Sequence, residues 1–394
     1  MTNEWKPDTA LVHGGTARTP HGETSEALYL NSGFTYPSAE AAEARFAADD
    51  PGFVYSRFAN PTVRMFEERM IALDGAGDAR ATGTGMAAVH GALMSRLSVG
   101  DHVVAARALF GSSLYILNKL LPRFGVRVTL VDGSDLDAWR RAAKGGADVF
   151  FLESPTNPTM EVVDIAAVAD IAHRAGAVLV VDNVFATPLK QRPFELGADV
   201  VLYSATKHID GQGRCLGGII LGDKKYVSGP LHDYLKHTGP SLSPFNAWVL
   251  LKGLETLSLR VERHQANAAA IAAALHGKAG VKRVLYPGHD SHPQYDIASK
   301  QMSGGGPMLA VEMAGGKPAA FAFCDALKLM LISNNLGDAK TLICHPATTT
   351  HKSLTDEQRA ELGISGGLLR ISAGLEDGAD LVADVQGALA ALPS

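Results

Sequence analysis

The sequence predicts an α/β fold: a mostly parallel sheet with helices on both faces, a smaller α/β C-terminal domain, and an extended N-terminal arm ahead of both. Two observations carry this. Short apolar runs recur at HVVAA (102–106), VRVTLV (126–131), DVFFLE (148–153), AVLVVD (177–182), DVVLYS (199–204) and GGIIL (217–221). Their apolarity is continuous rather than alternating, as in strands buried on both faces. Helix-like stretches lie between most of them, for example Ile165–Arg174 with Gly176 just beyond as a stop, so strand and helix alternate.

In chain order, residues 1–60 read as an irregular arm rich in Gly, Pro, Thr and Ser, with one helical patch at Ala39–Ala47. The regular pattern begins near residue 80, and Met86–Leu97 reads as a helix. After Gly222, Pro244–Leu275 reads as one long helix or two, with Gly253 a candidate break. PMLAVEM (307–313) is strand-like, Ala319–Leu329 helical with Pro318 in its first turn, LLRISAG (368–374) strand-like, and a closing helix starts at Gly378. A chain of 394 residues is expected to divide into two or three units, here 1–60, 61–255 and 256–394.

Composition narrows the function classes. The chain is 46% hydrophobic and 20% charged, with a formal net charge of −5 and no long run of Lys or Arg, which argues against nucleic acid or a membrane surface as partner. No apolar stretch reaches the length of a bilayer span. The first thirty residues lack the apolar core of a signal peptide. Cys215, Cys324 and Cys344 are scattered, with no disulfide framework, so a reducing cytoplasmic compartment is expected. No His/Cys/Asp set has metal-ligand spacing, so no metal is expected, and His13, His208 and His345 read as structural.

Four segments carry chemistry. In Tyr203-Ser204-Ala205-Thr206-Lys207-His208, Lys207 leaves a buried strand at its carboxyl end, where open α/β sheets bind ligands. A desolvated lysine there forms Schiff bases with carbonyl compounds, and Ser204 and Thr206 are placed to bind an attached phosphate. Taken alone, Lys207 reads equally well as a surface loop lysine. Thr82-Gly83-Thr84-Gly85-Met86-Ala87-Ala88 precedes a helix start, an arrangement whose free backbone N–H groups cradle phosphate. It is neither a P-loop nor a GxGxxG fingerprint, since Ala88 stands where the third Gly would be, and such strings are more often simple turns. Asp182, ending AVLVVD, suits a pyridine nitrogen that must stay protonated, or else a plain helix cap. Asn157, in Glu153-Ser154-Pro155-Thr156-Asn157-Pro158, suits a ring oxygen. Four unrelated ordinary readings would have to coincide at one sheet edge.

With these segments in hand the chain resembles the cysteine/methionine-metabolism family of fold-type I pyridoxal-phosphate enzymes, which includes cystathionine γ-synthase, the cystathionine and methionine lyases and the homoserine-ester sulfhydrylases. The resemblance runs from Leu11-Val12-His13-Gly14-Gly15 to Leu369-Arg370-Ile371-Ser372-Ala373-Gly374, through Tyr55-Ser56-Arg57-Phe58-Ala59-Asn60-Pro61-Thr62 and the four segments above. It implies pyridoxal 5′-phosphate as cofactor, held by Lys207, with Asp182 at the pyridinium nitrogen and Asn157 at the ring hydroxyl. It further implies Gly85, Met86, Ser204 and Thr206 at the phosphate, and Arg370 at the substrate α-carboxylate, a bidentate task suited to a guanidinium. Tyr55 and Arg57, otherwise ordinary surface residues, would reach the phosphate of a neighbouring subunit, with Tyr55 helping Lys207 to move protons, in a homotetramer built from two dimers.

Two positions depart from the family pattern: Phe110 would stack on the cofactor ring where many relatives have a tyrosine, and Asn335 would contact substrate near the carboxylate site where they often have Ser. The segments Ala108–Gly111, His208–Gly218 and Asn334–Asp338 favour a homoserine-ester sulfhydrylase. The implied reaction is γ-replacement on a succinyl ester of homoserine by sulfide, giving homocysteine. An acetyl ester, cysteine as donor, or γ-elimination remain alternatives. Arg107, three residues before Phe110, is the candidate cation for a succinyl carboxylate, its alternative being a solvated loop arginine.

Overall fold

The computed structural model describes residues 5–47 and 49–392. Residues 1–4 and 48 of the expected arm, and 393–394 at the other end, lie outside the described residues. The larger sheet has seven strands: β1 (Asp78–Thr82), β2 (His102–Ala106), β3 (Arg127–Val131), β4 (Val149–Glu153), β5 (Val178–Asp182), β6 (Val200–Tyr203) and β7 (Gly218–Gly222), in the order β1-β7-β6-β5-β4-β2-β3. β3, β2, β4, β5 and β6 are parallel, and β7 runs antiparallel to both β6 and β1.

Each apolar run is a strand, and for all but the edge strand β3, of which only Val131 is buried, the reason for its continuous apolarity is visible. Val104, Phe150, Leu179 and Val201 enter one core with helices 61–74, 165–174 and 244–254. Their chain neighbours Val103, Phe151, Val180 and Val200 enter a second core with helix 85–94 on the other face. Each fully buried Phe in these layers contributes about 1.5–3 kcal/mol.

The irregular stretch is shorter than expected. Helix Pro7–His13 buries Ala10 and Leu11, and helix Pro61–Asp74 begins well before residue 80. The second helix carries plain boundary signals: Asn60 caps it by accepting from the Thr62 N–H at 2.9 Å, Pro61 is its first residue, and Gly75 ends it at φ +76°. Pro244–Leu254 and Leu257–Leu275 are two helices, but the break falls at Glu255–Thr256. Gly253 has a different task. A Cβ there would lie 2.4 Å from the Ile209 carbonyl, so its bareness lets the helix pack against the backbone just after Lys207.

The smaller sheet holds β8 (Val281–Leu285), β9 (Met308–Met313), β10 (Leu331–Ile332), β11 (Leu342–Cys344) and β12 (Leu368–Ser372), in the order β10-β11-β12-β9-β8. Helices 257–275, 316–326 and 378–390 cover its apolar face. Among the described residues no helix is long and apolar enough to cross a membrane.

Candidate active site

One cavity of about 340 Å³ opens at the carboxyl ends of β4, β5 and β6. Thr84, Gly85, Met86, Phe110, Glu153, Asn157, Asp182, Ser204, Thr206 and Lys207 line it from the larger sheet, and Asn334, Leu336, Thr350 and Arg370 from the C-terminal part. Nine of the residues singled out from the sequence therefore share one wall or face it. All but Arg370, which lies mid-strand in β12, follow or end a strand of the larger sheet, because backbone groups freed from the ladder and side chains beyond the packed layers converge there.

At one end, the Thr84 hydroxyl caps helix Gly85–Met94 by accepting from the Ala87 N–H at 3.0 Å. The N–H groups at that helix start are available to an anion. A Cβ at Gly85 would stand 2.6 Å from the Ser204 Cβ, so only glycine lets this turn close against the segment bearing Lys207. The Thr206 hydroxyl donates to the Gly217 carbonyl at 3.2 Å and accepts from its N–H at 3.0 Å, so it must turn to donate to a phosphate.

At the centre, Lys207 Nζ donates to Asn335 Oδ1 at 2.8 Å. Burial, with the Arg370 charge acting in the same direction, lowers the Lys207 ammonium to about 8. The neutral amine attacks carbonyls, so a fall to 8 makes Lys207 reactive near physiological pH. The recombination rate of apoprotein with cofactor, followed by visible absorbance, should rise from pH 7 to 9 with a midpoint near 8. A midpoint near that of an ordinary lysine would contradict this.

Opposite, Asp182 accepts from the Val184 N–H at 3.1 Å, and burial pushes its carboxyl up to about 6. Behind it, Asn183 Nδ2 donates to the Tyr203 hydroxyl at 2.9 Å, which donates to Asp74 at 3.1 Å, bracing the ends of β5 and β6. Arg370, 2% exposed, donates from Nη1 to Asn157 Oδ1 at 3.0 Å and from Nη2 to the carbonyls of Asn334 (2.9 Å) and Asn335 (3.1 Å). Its Nε is buried with no partner among the described residues. A buried donor left unpaired costs about 1–3 kcal/mol, which an incoming carboxylate would remove. The donor set therefore fits a phosphate at one end, a ring nitrogen at Asp182, a carbonyl at Lys207 and a carboxylate at Arg370.

Four candidates are not part of the cavity wall of the single chain: Asn335, which reaches in only to accept from Lys207, and Tyr55, Arg57 and Arg107. Tyr55 and Arg57 are exposed, with the Arg57 guanidinium 5.4 Å from the Tyr55 ring centre, 4.9 Å from that of Phe58, and bonded to the Lys236 carbonyl. Arg107 pairs with Asp132 at 3.7 Å and is partly exposed. The sequence reading gave no task to Glu153, Asn334, Thr350 or Tyr203. Glu153 was visible at a strand end, whereas Asn334 contributes a backbone carbonyl that no side-chain pattern reveals. Among the described residues no group of three or more His, Cys, Asp or Glu could hold a metal.

The profile of Cys/Met metabolism PLP-dependent enzymes matches residues 8–390. The chain belongs to this family. Its cofactor is pyridoxal phosphate. The chain is 53% identical to the O-succinylhomoserine sulfhydrylase of Mycobacterium tuberculosis, across 97% of this chain and 95% of that one. It is 50% identical to the enzyme of the same name from Pseudomonas aeruginosa, across 98% and 95%. A solved Campylobacter jejuni structure assigned as an O-acetylhomoserine (thiol)-lyase superposes with a TM-score of 0.94 at 30% identity, covering 98% of this chain and 100% of that one. It carries an N′-pyridoxyl-lysine-5′-monophosphate residue. The expected fold-type I architecture and family membership thus stand.

Proposed function

We propose that the chain catalyses γ-replacement on O-succinylhomoserine with sulfide, giving homocysteine and succinate. The observation that carries this is a single cavity holding Lys207, Asp182 and Arg370 on different walls, in a chain similar over nearly its whole length to two O-succinylhomoserine sulfhydrylases. When bound, the cofactor supplies an electron sink for charge developing on the substrate carbons. Lys207 Nζ holds the cofactor covalently, yields to the substrate amine, and then moves protons at Cα and Cβ. The Asp182 carboxylate keeps the ring nitrogen protonated, and the Asn157 amide faces the ring oxygen. Ser204, Thr206 and the N–H groups of Gly85 and Met86 receive the phosphate. Phe110 covers the ring but has no hydroxyl, so proton movement falls to Lys207, helped by Tyr55 of the partner subunit. Arg370, through its free Nε, orients the substrate α-carboxylate. The Cγ–O bond breaks, succinate leaves, and a Cγ–S bond forms.

In this reading Arg107 meets the distal succinyl carboxylate after leaving Asp132, and Asn335 steers Lys207 rather than the substrate. Residues 1–60 form an arm to the neighbouring subunit, 61–255 the cofactor-binding domain and 256–394 the C-terminal domain, in a cytoplasmic homotetramer of two dimers. The two sheets falling wholly within 61–255 and 256–394 support that division.

Purified enzyme given O-succinyl- or O-acetylhomoserine with sulfide or cysteine should turn over the succinyl ester with sulfide most efficiently, releasing homocysteine. Cystathionine as the main product would instead make it a cystathionine γ-synthase, and 2-oxobutyrate a γ-lyase. The shared site has its own test. Mixing Arg57→Ala with Lys207→Ala chains should restore some activity, because hybrid dimers contain one intact composite site. Inactive mixtures, with subunit exchange demonstrated, would rule out Arg57 acting across an interface.

A further inference from the structure

The roles above leave one buried acid in the cavity wall without a task. Glu153 and Asp182 end adjacent parallel strands, are Cα partners in the β4–β5 register, and both line the cavity. Directly paired residues on neighbouring strands point to the same face, which sets the two carboxyl groups side by side. The Phe110 backbone N–H donates to Glu153 Oε2 at 2.7 Å, tying the loop after β2 to the end of β4. The titratable and charged groups facing the pair are Arg370 on β12, Lys207 beyond β6 and Tyr203 at the end of β6. Neighbouring buried carboxyls do not both ionise readily, and such a pair takes up and releases its protons jointly.

We propose that Glu153 is a positioning residue for the cofactor ring: as the neutral acid it leaves the pair's one negative charge on Asp182, facing the ring nitrogen, and it anchors the backbone of Phe110, whose side chain covers the ring. Burial, and then repulsion from Asp182, hold Glu153 well above the ordinary carboxylate range, against the opposing pull of the Phe110 N–H and Arg370. Asp182 rises less, to about 6, and so carries the charge at neutral pH. The inference rests on the cofactor reading of the cavity.

The test compares apoprotein of the wild type, Glu153→Gln and Glu153→Ala. Glutamine is neutral and keeps an acceptor for the Phe110 N–H, so its Kd for pyridoxal phosphate at neutral pH should stay within about threefold of wild type, while alanine weakens binding about tenfold. A second readout needs no cofactor. With its folded pKa raised, wild-type Glu153 keeps a proton that the unfolded chain has released, so its contribution to stability falls as pH rises above the ordinary carboxylate range. Glu153→Gln lacks that slope, and its melting temperature relative to wild type should climb between about pH 5 and 7.5. Equal loss of affinity in both variants, or a flat melting difference, would show that Glu153 acts as a charged group and overturn the proposal. Failure of the wild type itself to bind the cofactor would overturn the reading of the site beneath it.

Discussion

Lys207→Ala lowers kcat/KM for γ-replacement by about 10⁴-fold, the upper range for removing a positioned acid–base group, because the same amine both anchors the cofactor and moves the protons. The fold should survive. Lys207 is only partly buried, its amine bonds one acceptor among the described residues, Asn335 Oδ1 at 2.8 Å, and its ammonium is disfavoured there by burial and Arg370. The sign of that effect is informative. With the folded pKa lowered to about 8, the folded chain is penalised below pH 8, where an unfolded lysine is fully protonated. The Lys207→Ala apoprotein should therefore be at least as stable as wild type near pH 7 while nearly inactive. A variant that keeps more than a tenth of wild-type activity would place the essential amine elsewhere.

Asp182→Asn should lower kcat by about 10²–10³-fold, the loss seen when one preorganised electrostatic partner is removed, while the cofactor stays attached. Asparagine matches the shape of Asp182 but supplies no negative charge to hold a proton on the ring nitrogen. Because Asp182 titrates near 6, wild-type apoprotein should also lose cofactor affinity as pH falls through that value, whereas Asp182→Asn should show no such step. Titrating both proteins with cofactor between about pH 5 and 8 separates the two curves. Parallel curves would mean that Asp182 does not carry the charge.

The central architecture was legible because strands covered on both faces by helices must be continuously apolar, and five of the six runs between residues 102 and 221 are such strands, the sixth being the half-exposed edge strand β3. The strands that escaped notice lack that signal for physical reasons. β1, Asp-Ala-Arg-Ala-Thr, lies at the sheet edge, where Asp78 pairs with Arg64 and Arg80 with the buried Glu67, so ion pairs take the place of apolar contacts at these two positions. In β8, Lys282 and Arg283 pair across the sheet with Glu312, so charge masks the strand. β10 and β11 are two and three residues long, too short for any period to show. Helix 61–74 had its signals in Asn60, Pro61 and Gly75, but they merged with the Gly- and Pro-rich arm before it.

Within the site, side chains at strand ends could be read because a Lys, Asp or Arg beside an apolar run is costly unless it has a task. Glu153 met the same criterion, yet its meaning depends on lying opposite Asp182, which only strand register reveals. Asn335 illustrates a different gap. Its side chain steers Lys207 and its carbonyl holds Arg370, a double link between residues 207 and 370 that only the folded chain brings about.

The most direct test of this account is borohydride reduction of the yellow holoenzyme followed by peptide mapping. The predicted result is a single pyridoxyl-modified peptide with the label on Lys207, whose side chain alone in the cavity wall is a primary amine. A label on any other lysine, or none at all, would contradict it.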